Sequence, residues 1–167
     1  MVRMGTQLPV PIEFRLPEGW RSAPPDEVGA PGVAFVALHP HAGDGFTANI
    51  TISGRLRADD EDLDATGDES VERIRQQAAG PVTLRDRTRI GSAEAPGLTQ
   101  MLDFATLVDD RPLALTQCQV YLSMADVAEP VTRAVIEVVL TCARNQLDGV
   151  LGEFRQFLTT VTVSRDG

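Results

Sequence analysis

Apolar and polar residues alternate along most of this chain with a period of two. The segment 46–53 is the clearest case: Phe46, Ala48, Ile50 and Ile52 fall on one face, and Thr47, Asn49, Thr51 and Ser53 on the other. That pattern predicts a strand with one face on a core and the other in water or a polar cleft. Ile12 to Leu16 alternates in the same way, and Pro17 and Gly19 end it. Residues 32–38 are apolar throughout and predict a central strand. Four more strands are expected at 82–90, 98–107, 113–122 and 131–142, the last with Ala134, Ile136, Val138, Leu140 and Cys142 on one face. Short turns such as Asp109-Asp110-Arg111-Pro112 separate them, so they read as successive antiparallel hairpins.

Two stretches change to the helical period. Val71, Ile74 and Ala78 form one stripe, stopped by Gly80 and Pro81. Asp59, Asp60, Glu61, Asp62, Asp64, Asp68 and Glu69 sit before and within its first turns, where the helix dipole favours negative charge. This acidic run lacks the ligand spacing, central glycine and terminal glutamate of a calcium loop. A long C-terminal helix is expected at 145–160, with Leu147, Val150, Leu151, Phe154, Phe157 and Leu158 as a wide apolar stripe. Gly149 and Gly152 weaken it, which close approach to a sheet would justify. Val161 and Val163 add a short strand. Residues 1–10 read as a flexible tail and 11–164 as a single domain. The fold class is therefore α+β: a central antiparallel sheet of six to seven strands, two helices, and the longer helix laid across the sheet.

Composition narrows the function. The chain has 167 residues, enough for one domain with a real core, and a net charge of −9. That charge argues against binding nucleic-acid phosphates or anionic lipid. All fifteen basic residues are arginine, which points to a high-GC bacterial genome, with actinobacteria as the first expectation. No segment approaches the roughly 20 apolar residues of a membrane span, and the first eleven residues lack a signal-peptide core. Cys118 and Cys142 fall within neighbouring strands; with a loop at 126–129, Cys118 is expected to face Ile136, too far from Cys142 for a disulfide. Free buried thiols fit a reducing, cytoplasmic location, with the cell envelope as the alternative if the natural chain carries a leader.

The chemistry-bearing residues are few. His39 and His41 flank Pro40 near Asp44, but no third or fourth metal ligand accompanies them, and exposed turn histidines are the expectation. Arg85, Arg87 and Arg89 are spaced by two on one strand and are expected to share a face, as a positive patch for an acidic partner or as a charged guard against sheet-to-sheet association. Glu137 and Asp103 lie within apolar strands and would form an acid pair only if they shared an inner face. No nucleophile elbow or glycine-rich phosphate loop is present. No cofactor or metal is called for.

The opening strand ending in Leu16-Pro17-Glu18-Gly19-Trp20, then a loop and hairpin, a helix, a four-strand antiparallel run, and a closing helix with Phe154, Phe157, Leu158 and Thr159 resemble the Mog/PsbP-like superfamily, which includes actinobacterial LpqN-type proteins. The resemblance covers nearly the whole chain. It implies an α/β/α sandwich and a non-catalytic module that binds another protein. On that reading the arginine patch of Arg85, Arg87 and Arg89 supplies the expected partner contacts, and a homodimer is one form of partnership. It carries over no catalytic residues. The lipoprotein branch has a leader and a lipid-anchoring cysteine, which this sequence does not show. The alternative expectation is a helix-grip carrier, with an apolar cavity between the sheet and the 147–158 stripe. Trp20 is expected to be a structural corner at the sheet's edge.

Overall fold

The strand Arg133–Ala143 (β9) lies at the centre of the main sheet and, after Arg133, is apolar on both sides except at Glu137 and Thr141. Its neighbours are Asn49–Leu56 (β5) on one side and Arg111–Ala125 (β8) on the other. The sheet continues through Pro96–Val108 (β7) to Thr83–Gly91 (β6) at one edge, and through Phe35–Leu38 (β4) to Arg21–Ala23 (β3) at the other. All seven strands are antiparallel to their neighbours. A second sheet is built from Val2–Met4 (β1), Ile12–Phe14 (β2) and Thr162–Val163 (β10), with β2 in the middle. This computed structural model describes residues 2–4, 8–25, 32–41 and 45–164.

Two helices cover opposite faces. Leu63–Gln77 (α1) begins where Asp62 accepts a hydrogen bond from the Asp64 amide (3.0 Å). Leu147–Leu158 (α2) follows a short 3-10 turn at Arg144–Gln146. Alternation along β9 shows which face is which. Ala134, Ile136, Val138, Leu140 and Cys142 are fully buried under α2 and the small sheet, beside Ile50 and Ile52. Val135 and Ala143 face α1's side with Leu98, Leu102 and Tyr121.

Several expectations change. Residues 8–10 are not loose: Leu8 and Val10 are buried in the main core, and Val2–Met4 pairs with β2. The strand expected from Gly32 starts at Phe35, and that expected from Phe46 is displaced to Asn49–Leu56. The β8–β9 loop spans 126–132, which moves the register: Cys118 faces Leu140, and Cys142 faces Thr116. Both thiols are free and buried. Gly149 and Gly152 do not meet the sheet, because a β-carbon built on either has nothing within 4 Å.

Candidate functional site

The space under α2 is filled. Phe14, Phe154 and Phe157 are at most 2% exposed, and the ring centres of Phe14 and Phe157 lie 5.5 Å apart. Beneath the centre of α2, the room between helix and sheet is taken by the core itself.

The expected arginine patch is divided. A register shift between Leu84 and Asp86 interrupts the β6–β7 ladder. Such a bulge resets the alternation of side chains. Arg87 and Arg89 therefore lie toward α1, and Arg85 lies on the opposite face. Arg87 pairs with Asp68 (2.8 Å) and Asp64 (3.9 Å), and Arg89 with Asp64. Arg85 instead approaches Asp103 (3.4 Å), which Arg144 also reaches (3.7 Å) and to which the Thr116 hydroxyl donates (2.7 Å).

Asp103 and Glu137 lie on opposite faces of the sheet and cannot act as a pair. Glu137 points to the α1 side, opposite its cross-strand partner Tyr121. Burial pushes its carboxyl above the ordinary carboxylate range, against the pull of Arg73, the Tyr121 hydroxyl and Arg55. Nearby, Arg55 holds Glu61 by two hydrogen bonds, which pull the Glu61 carboxyl below its usual range.

The histidines belong to a corner. A turn closes from the Trp20 amide to the Pro17 carbonyl (3.1 Å), with Gly19 at φ 84°, the conformation a type II turn asks of glycine. The Trp20 indole donates to Glu153 of α2 (2.7 Å), and its ring meets His39 edge-on at 5.2 Å. Nδ1 of His39 accepts from the His41 amide (3.1 Å), which leaves Nε2 facing Glu153 at 3.9 Å. Asp44 lies outside the described residues. No cluster of three or more metal-ligating side chains occurs among the described residues. Trp20 is thus a structural corner, and it ties the β3–β4 edge to α2.

What sequence reasoning missed is a groove beside α2, on the same face of the sheet. α2 packs over the core shared with β4, β5 and β9, and the groove runs between its Leu151–Leu158 flank and β6–β8. Met101, Cys118 and Val120 form its floor, Leu151 and Leu158 one wall, and Arg155 and Asp86 its charged rim, around a cavity of about 220 Å³. Burial pushes the Cys118 thiol up to about 11, with Arg155 and Arg85 pulling the other way. Arg155 lines the groove, and Arg85 is the chain neighbour of the rim residue Asp86.

On the opposite face, polar side chains run between α1 and the sheet. Arg87 Nε donates to Gln100 Oε1 (2.9 Å), and Gln100 donates to the Gly67 carbonyl (3.1 Å) and to Gln119 Oε1 (2.7 Å). The Tyr121 hydroxyl donates to the same oxygen (3.1 Å), and Gln119 and Gln117 extend the run to Thr141. Gly67 allows this approach: a β-carbon there would sit 2.7 Å from Gln100 Oε1.

No protein-family model matches the sequence, and no curated protein matches it either. The three-dimensional likeness is broad. LpqN of Mycobacterium tuberculosis, described as involved in cell envelope biogenesis, superposes with a TM-score of 0.62 at 9% identity over 92% of this chain and 83% of that one. CyanoP, the cyanobacterial PsbP of Synechocystis, gives 0.60 at 17% identity over 92% and 86%. The Saccharomyces cerevisiae Ran-binding protein Mog1p gives 0.56 at 11% identity over 91% and 89%. A central antiparallel sheet between α1 and the α2 layer, shared with these three over more than nine-tenths of its length, gives this chain the Mog/PsbP-like fold.

Proposed function

We propose that the protein is a non-catalytic module that binds another protein through the groove beside α2. The observation that carries this reading is the groove beside α2, floored by Met101 and by the buried Cys118 and Val120, and walled by Leu151 and Leu158. An apolar groove with a charged rim is a usual feature of a protein-contact surface. The separation of Glu137, Asp103 and His39 into three places supports the non-catalytic part. The fold is shared with a Ran-binding protein, so it is a scaffold on which protein recognition occurs. The two free buried thiols fit action in a reducing compartment.

Site-specific cross-linking tests the reading. A benzophenone side chain placed at Leu151 is expected to capture a distinct protein in the native host. The same probe at Arg75, exposed on α1, captures none, and Met101→Arg abolishes the adduct. Equal capture from both positions, or an adduct only of the chain with itself, overturns it.

A further inference from the structure

We infer that the segment held in this groove is an extended stretch of a partner protein in which an apolar side chain is flanked by a carboxylate. The inference rests on the binding reading above and adds the chemistry of the partner.

Size comes first. Pockets for small organic ligands run about 300–1,000 Å³, and this groove, at about 220 Å³, is smaller. It suits a side chain presented by a peptide better than a free cofactor. Met101 on the floor adds an adaptable surface, able to fit apolar side chains of different shape.

Charge then selects among peptides. The protein carries −9 overall, yet this patch is locally positive. Arg155 and Asp86 line the groove, and on the same face Arg85 and Arg144 stand beside Asp103. Arg85 and Arg144 share the single carboxylate of Asp103. Asp86 accepts from the Thr88 hydroxyl at 3.3 Å. Arg155 is exposed on α2 and forms no ion pair among the described residues. On the other face of the same strands the pattern is reversed, since Arg87 and Arg89 already hold Asp64 and Asp68. Of these three arginines, Arg155 is the one without an ion pair, and it lines the apolar groove. A guanidinium offers a carboxylate two parallel hydrogen bonds, which an amide or a cation on the partner cannot return.

The test uses three capped hexapeptides with the same central leucine, flanked by glutamate, glutamine or arginine. They are titrated into the full chain labelled at its methionine methyl groups. The Met101 resonance reports the groove, and Met124, farther along β8, is the control. The glutamate peptide is expected to move Met101 at roughly tenfold lower concentration than the glutamine peptide. The arginine peptide is expected to leave it unmoved. Arg155→Glu should reverse the order of the glutamate and arginine peptides, a result that general damage to the fold would not produce. Equal response to all three, a preference for arginine, or no movement of Met101 overturns the inference. If cross-linking at Leu151 still captures a partner in that case, only the carboxylate requirement falls. If cross-linking fails too, the binding reading falls with it.

Discussion

The two faces of the main sheet are held by different physics. On the α2 face, twenty-two buried residues form one apolar cluster, joining β2, β4, β5, β8, β9 and α2. On the α1 face, two small clusters flank a run of hydrogen bonds through Arg87, Gln100, Gln119, Gln117 and Thr141. Burial of apolar area stabilises without regard to direction. A buried polar run stabilises little on balance, but it specifies position, because each unmade bond is costly. The α2 face therefore supplies most of the stability, and the α1 face fixes where the helix sits.

Three substitutions test that division. Phe157→Ala removes a ring that touches Phe14 and Phe154 at the centre of the large cluster. It is expected to cost about 3–5 kcal/mol, on the order of 10 °C in thermal midpoint. Gln119→Ala leaves the Gln100 amide and the Tyr121 hydroxyl without their shared acceptor. The expected cost is about 1–3 kcal/mol. Amide exchange should accelerate first in α1, leaving α2 protected. Exchange that accelerates equally in both helices would show that the faces are not separate in this way. The third effect is the smallest and depends on pH. Glu137 has a raised carboxyl pKa in the folded state, so the fold binds its proton more tightly than the unfolded chain does. Its contribution is fully present below the ordinary carboxylate range and is lost as pH rises through the folded value. Glu137→Gln is neutral at every pH. It should match the parent near pH 4 and exceed it in thermal stability at pH 7, and a difference that is constant between the two would remove the assignment.

Much of this division was legible in the residues. Ala48, Ile50 and Ile52 and the single apolar face of 131–142 mark the α2 side, and the stripe from Leu147 to Leu158 marks what covers it, whereas Phe46 packs with the cluster on the α1 side. The α1 side was harder to read for a physical reason. Gln100, Gln117 and Gln119 each look like isolated polar exceptions within strands, and only cross-strand register brings them together. That register depends on the β8–β9 loop, and the longer loop at 126–132 also moved Cys118 from Ile136 to Leu140. The spacing of Arg85, Arg87 and Arg89 suggested one face because a bulge leaves no mark in a repeat of two. The groove was hidden because it depends on how far α2 extends across the sheet, and no single segment encodes that. Gly149 and Gly152 misled in the same way: their cost to the helix is intrinsic, but the open space beside them is set by distant strands.

The pairing of β5 with β9 bears on how the chain is made. β6 to β9 form a meander of neighbours in sequence, which can pair as soon as it is synthesised. β5 has no such neighbour on its inner side: Ile52 faces Val138, and Ile50 faces Leu140. β2 waits longer still, since Ile12 meets Val163. β2 and β5 therefore leave the ribosome with one edge each still unpaired, which exposes apolar strand until the rest of the chain is made.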